Sequence, residues 1–358
     1  MAACSSDSET TAGAPNGTDA GSKSDGGGAN DSGPGIADAS TPIEANGIVF
    51  VHAASFPAFR VCLEGAPDKQ PIPSADLLPE SNLPGVEVGS IVRIDPLPMA
   101  PLRVWVFAVD DIKALYKPGK AGLACKELVD TASASAHLVA TITKDLSRDV
   151  HLLVLRGSLE NQDLRMEQIT LNAFNRSPSK LPVQVLPLSI DLSDRAANRK
   201  IGVAVTPIAD SGIDAAIPDA GPQAPFIEGA LPFGIVAPSI PYELAYDPSD
   251  ESGFATSGFS VTLGASLDAG ADAGDAGPRE VILTQSLADI QRLSAPRALP
   301  GPWFGAASSY VLLLLGSAQP GDASADELSR LHFLAVPVAA PASAGDAGEP
   351  PPEDASTD

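Results

Sequence analysis

The chain has 358 residues and carries 45 Asp and Glu against 22 Lys and Arg, a formal net charge of −23. That balance repels phosphate backbones and anionic headgroups, which argues against nucleic acid as a partner and leaves membrane association to a lipid anchor alone. Aromatic residues make up only 5% of the chain, and no run reaches the roughly 18 apolar residues that a membrane-spanning helix needs.

In chain order, Met1-Ala2-Ala3-Cys4 fits the small-residue box that precedes the lipidated cysteine of bacterial lipoproteins, without the basic and apolar segments that usually stand before it. Cys4 is therefore the candidate lipidation site and mature N-terminus. From Ser5 to about Asn46 follows a Ser/Gly/Asp/Thr/Ala tract with nothing to bury, as expected of a disordered tether between membrane and folded body. Read otherwise, it is a cytoplasmic tail that happens to hold a cysteine. Seven acidic residues precede residue 47 and five follow Pro341, so much of the negative charge lies in solvated tails.

Gly47 to Leu63 reads as a strand pair: an apolar run from Ile48 to Val51, a Ser/Pro-containing break, then Phe59, Val61 and Leu63 alternating with Arg60 and Cys62. A Pro-rich loop over 65–84 follows. Further strands are expected at 86–94, 102–109, 136–143 and 150–156, with a helical turn from Asp110 to Leu115 and a short helix before Ser135. Trp105, inside the Val104–Phe107 strand, belongs to the core or to a sheet face. With Cys4 set aside, Cys62 and Cys125 read as one disulfide closing a loop of roughly 60 residues in an exported protein. The alternative is a buried reduced Cys62 and a solvent-facing Cys125.

From Ile169 the order looks repeated. Ile169–Phe174 and Leu181–Ile190 track Ile48–Ala53 and Phe59–Leu63. Val88–Val92 is echoed by Phe233–Val236, Asp111–Leu115 by Asp289–Leu293, and Leu153 to Ser158 by Leu313 to Ser317. The second copy carries soft insertions near 209–225 and 264–278. Asp-Ala-Gly recurs at Asp19, Asp219, Asp268, Asp272, Asp275 and Asp346, and the crowded ones lack the alternating oxygens and closing Glu of a calcium loop. They read as linker. A strand at Leu331–Val336 precedes a Pro/Ala/Asp tail.

His52-Ala-Ala-Ser55 and Pro57-Ala-Phe-Arg-Val-Cys-Leu63, with Phe233-Gly-Ile-Val-Ala-Pro-Ser-Ile-Pro-Tyr242, resemble segments of the bacterial domain of unknown function 4397 family. The resemblance implies small antiparallel β-sandwiches, often in tandem, in exported and cell-surface proteins, and it implies no activity. Arg60 stands where an Asp is usual, and the break after His52 is one residue shorter. The tether and the Asp-Ala-Gly repeats resemble in composition those of large myxobacterial lipoproteins.

Catalytic and metal signatures were sought in the residues. His52, His137, His151 and His332 each sit in an apolar strand-like run with no second ligand at motif spacing, and His52 reads as a strand-end histidine bonding the next loop. Asp110 and Asp111 are adjacent and point apart, so they read as a helix start. Pro300-Gly-Pro-Trp303-Phe304 places two aromatics in a stiff loop, a candidate binding loop for a sugar or a partner side chain, or else a plug at one end of a sandwich.

The expected protein is thus all-β, with two tandem antiparallel β-sandwich modules at 47–166 and 167–338, a lipoprotein box and tether at 1–46 and a disordered tail at 339–358. Its expected role is a non-catalytic binding or scaffolding lipoprotein of the bacterial cell envelope, with no cofactor or metal and with a protein or glycan ligand at the surface. The alternative is an exported hydrolase or carbohydrate-active enzyme with an unrecognised site.

Overall fold

Short apolar runs without polar alternation become strands buried on both faces, and five such runs set the plan of this molecule. They are β1 (Gly47–Ser55), β6 (Val150–Ser158), β8 (Lys180–Pro187), β14 (Ser309–Leu315) and β15 (His332–Val338), all nearly or wholly buried. The computed structural model describes residues 47–64, 71–73, 85–94, 102–113, 115, 124–131, 136–143, 146, 149–175, 177, 179–189, 191–196, 199–208, 224–245, 257–266, 279–298, 309–319 and 327–338, all within one unit, Ala37–Asp358. Both expected tails, including Cys4, and the binding loop at Trp303 and Phe304 lie outside them.

The other strands are β2 (Phe59–Leu63), β3 (Ile91–Ile94), β4 (Leu102–Ala108), β5 (His137–Ile142), β7 (Arg165–Leu171), β9 (Arg199–Pro207), β10 (Ile227–Gly229), β11 (Ala237–Ala245), β12 (Ser257–Ser266) and β13 (Glu280–Ser286). Helices are few and mostly short: α1 (Val109–Lys113), α2 (Cys125–Thr131), α3 (Leu192–Arg195) and α4 (Leu287–Ala298). The protein is all-β.

Two inner sheets share one plan. The first runs β3-β1-β6-β7 and the second β11-β8-β14-β15. In each, the central pair is parallel (β1 with β6, β8 with β14) and the flanking pairs are antiparallel. The expected antiparallel pairing is therefore corrected at the centre of both sheets. The outer sheets match as well. β2-β4-β5 carries isolated bridges from Ile72 and Val86 on the free edge of β2, where the second outer sheet, β10-β9-β12-β13, has β10.

One face of the first inner sheet, through Ile48, Phe50, Leu153 and Leu155, packs with Phe59, Val61, Val104 and Val106 of the outer sheet. The opposite face, through Val49, Val51, Leu152 and Val154, joins a larger core shared with Leu186, Leu313 and Leu334 and with Phe259 and Val261 of the second outer sheet. His332 Nε2 lies 2.8 Å from the Gly89 carbonyl oxygen and Phe174 N donates to Ser309 Oγ at 3.2 Å, so polar contacts also join the halves.

Several expected boundaries move. Arg165–Leu171 is one strand hydrogen-bonded to β6, so the division between 166 and 167 runs through β7, and the counterpart of β1 is β8 rather than Ile169–Phe174. The expected strand over 86–94 is split by a turn at Gly89, whose φ of 73° is left-handed, as is that of Gly234 (76°) before β11. Gly264–Ser266 ends β12 and is not insertion. Two of the proposed echoes fall at equivalent places, Gly89 with Gly234, and Gly157-Ser158 with Gly316-Ser317 at the ends of β6 and β14. The helices α1 and α4 do not correspond, since one follows β4 and the other β13.

Sheet edges are closed by side chains. Ser286 caps α4, its Oγ accepting from Asp289 N at 3.0 Å. Leu287, Ile290 and Leu293 then face the shared core. Gln285 Oε1 accepts from Phe333 N at 2.7 Å and Ser294 Oγ from Ala335 N at 2.8 Å, while the next outward position of β15 is Pro337, which has no N–H. An edge strand with its donors occupied or absent cannot template pairing with another chain.

Candidate functional site

β4 alternates Val104 and Val106, which face the sandwich core, with Arg103, Trp105 and Phe107 on the opposite side. A solvent face carrying two aromatics needs a cover, and α1 and α2 supply it. Cys62 of β2 stands directly opposite Trp105 in the antiparallel register. Cys125, the first residue of α2, is joined to Cys62 as a disulfide with Cα atoms 5.3 Å apart, so the helix is pinned over the sheet. Phe107, Val109, Ile112 and Leu128 fill the small core beneath the helices. Both cysteines are buried.

A cleft of about 470 Å³ opens alongside α2, between the helix and the sheet face at Trp105. Trp105 and the disulfide form its floor, Val129 lines one wall, and the rim carries Glu64, Arg103, Lys126 and Asp130. Among the described residues the rim charges balance, two acidic against two basic. Arg103 Nη1 pairs with Glu64 Oε1 at 3.5 Å, and the guanidinium carbon lies 5.2 Å from the centre of the Trp105 ring, a cation–π contact. Such a floor and rim can hold a small flat ligand by its apolar face and fix its orientation by hydrogen bonds at its edge. The sequence signal was present in the alternation of β4, but it does not say how a helix lies beside Trp105.

Arg60, next to Cys62, is fully buried rather than exposed. Its Nη2 donates to the Pro71 carbonyl at 2.7 Å and to the Pro73 carbonyl, holding the 71–73 segment along the edge of β2. This explains why β2, whose alternation reads as half-buried, is buried at every position.

The histidines do not converge. His52 is buried within β1, three residues before its end, its Nε2–H donating to the Pro57 carbonyl at 3.1 Å and its Nδ1 accepting from Ala54 N at 3.4 Å, with Phe59 edge-on to the ring. Burial lowers its pKa to about 4, against the opposing hydrogen bonds to Pro57 and Phe56, so the ring is neutral. His151 contacts Thr170 and Gln168, each at 3.2 Å, and His137 lies edge-on to Phe56. Among the described residues no group of three or more His, Cys, Asp or Glu is placed to hold a metal ion. Asp110 is ion-paired with Lys113 at 2.6 Å within α1.

A second, more open cavity of about 560 Å³ lies between Ser55–Pro57, Val88, Asp191 and Ser317. Burial works against the charged Asp191 carboxylate, but hydrogen bonds from Ser317 Oγ (2.6 Å), Ala318 N (2.6 Å), Gln319 N (3.1 Å) and Ser189 Oγ (3.2 Å) outweigh it and hold its pKa below the usual carboxylate range. All these donors come from the ends of β8 and β14, so Asp191 is a strand-end tie. The cleft over Trp105 is the stronger ligand site. No family model, curated protein or solved structure matches the chain.

Proposed function

We propose that the protein is a non-catalytic binding lipoprotein of the bacterial cell envelope, tethered through Cys4, whose ligand surface is the cleft over Trp105. The observation that carries the address is the Cys62–Cys125 disulfide, because structural disulfides belong to oxidising compartments outside the cytoplasm. The role rests on the cleft: an aromatic floor held by a covalent crosslink, with rim carboxylates and cations in equal number, suits retention of a ligand rather than turnover. The long Ser/Gly/Asp tract after Cys4 suits a tether.

The address is tested by expressing the chain behind a lipoprotein leader in a bacterial host and taking the mass of the N-terminal peptide from the membrane fraction. A diacylglycerol thioether on Cys4, and release to the soluble fraction in C4S, are expected; an unmodified Cys4 in a cytosolic pool overturns the assignment. Release of reducing ends from an oligosaccharide panel by the purified protein overturns the non-catalytic role.

A further inference from the structure

We infer that the cleft over Trp105 binds a neutral pyranose ring of a saccharide chain, an inference that rests on the binding role just proposed. Four observations narrow the ligand class. Trp105 is half-buried and lines the cleft, and one face of its ring is turned toward another cleft-lining side chain. That face is now met by the Arg103 guanidinium at 5.2 Å. The axial C–H bonds of a pyranose carry a slight positive charge, far less than the guanidinium's, but meet the same negative π face, so a sugar ring can take the place of the guanidinium without leaving the indole bare. Arg103, held by Glu64 at 3.5 Å, then swings off the indole and, still on the rim, turns its planar donors toward the ring hydroxyls.

The rim itself argues against charged ligands. Glu64 and Asp130 offset Arg103 and Lys126, so the cleft has no local field to select an anion, and the chain's net charge of −23 repels one. A cationic ligand has to compete with Arg103 for a single aromatic face, whereas sites that select organic cations surround them with several rings. What remains favoured is a ligand with one apolar face and an uncharged hydrogen-bonding perimeter. Carboxylate and guanidinium groups, planar and bidentate, suit vicinal hydroxyls. A volume of about 470 Å³ lies within the range of small-ligand sites and takes a sugar ring with part of its neighbour.

The test uses the two tryptophans of the chain, Trp105 and Trp303. The full-length wild-type protein is titrated with cellobiose, maltotriose and N,N′-diacetylchitobiose, with galacturonate and the dipeptide Gly-Phe as contrasts, and the same titration of W105F, in which Trp303 alone emits, isolates the response of Trp105 by difference. A saturable emission change with at least one neutral oligosaccharide and none with galacturonate is expected. Isothermal titration calorimetry on the same sugar should show W105A weakened by about ten-fold or more and W105F retaining most of the affinity, with the Cys62–Cys125 crosslink intact in both by mass. A response to Gly-Phe alone overturns the sugar class while leaving the cleft as the ligand site. No response to any probe overturns both assignments made to the cleft, and the Cys4 acylation measurement then still decides the envelope address independently. Equal binding by W105A and the wild-type protein overturns the stacking role of Trp105.

Discussion

The two halves of the molecule have the same strand order and opposite ways of finishing their outer surfaces. In the first half the outward positions of the outer sheet include Cys62, Trp105 and Phe107, and a helix pair pinned by a disulfide lies over them. In the second half the equivalent positions of β9 and β12 are Gly202, Ala204, Thr206, Gly258, Ser260 and Thr262, small or hydroxylated side chains that gain little from a cover. There the longer helix, α4, turns inward, burying Leu287, Ile290 and Leu293 in the shared core and occupying the edge of β15. The same strand order thus carries a cleft in one half and an edge seal in the other. The outward side chains decide which.

That comparison can be broken most forcefully at the face the halves share. Val154 is fully buried in the common core, so V154D sets an unpaired carboxylate there and should cost more than about 4 kcal/mol. Hydrogen exchange should show amide protection lost in β12 and β13 as well as in β1 and β6. Protection surviving in the second half alone would mean that the halves fold independently.

Next in size is the crosslink that only the first half has among the described residues. C62A/C125A removes a closure spanning 63 residues, worth about 4 kcal/mol on chain entropy alone. The urea midpoint should fall accordingly, and α2 should exchange far faster than α4. Equal protection of the two helices in the double variant would show that packing, not the disulfide, holds the cover on.

His52 gives a sharper contrast, because the register of the parallel pairs puts Pro187, which cannot titrate, at its place in β8. Its folded pKa of about 4 lies below the ordinary histidine value of 6.5, so its contribution is fully present above pH 6.5 and is lost as pH falls toward 4, by about 3 kcal/mol in total. H52Q should flatten the stability profile across that window, as read from urea unfolding at pH 7, 5.5 and 4. An unchanged slope would remove His52 as the source.

The smallest effect belongs to the edge seal of the second half. S294A leaves the Ala335 N–H without its acceptor and should cost about 1–3 kcal/mol. Its sign to watch is faster exchange at Ala335 together with concentration-dependent association, the expected behaviour of an opened edge.

Where local chemistry dictates structure, the sequence was readable. Gly157-Ser158 and Gly316-Ser317 could be matched because both glycines are left-handed, with φ of 86° and 79°, and a Cβ at either would run into the backbone carbonyl of Asp163 or Arg330. The loop-bonding role of His52 was readable for a similar reason, since its partner is only five residues away. The start of the second copy was not. Ile169–Leu171 and Leu181–Pro187 are both extended apolar runs, and only the pairing of the former with β6 and of the latter with β14 assigns them to different sheets. Trp105 could be placed on a sheet face by alternation, yet its cleft depends on how α2 lies beside it.

The sequence by itself determined an all-β chain, because strand length, alternation and turn residues act over a few neighbours and survive without tertiary context. It also marked two strand ends by a shared dipeptide, Gly157-Ser158 and Gly316-Ser317. Tertiary structure alone decided the parallel pairing at the centre of each inner sheet, the burial of both faces of those sheets, and the opposite placement of the helices in the two halves. Those outcomes depend on contacts between segments about a hundred residues apart, such as β1 with β6 and β8 with β14, whose partners nothing in the local pattern names.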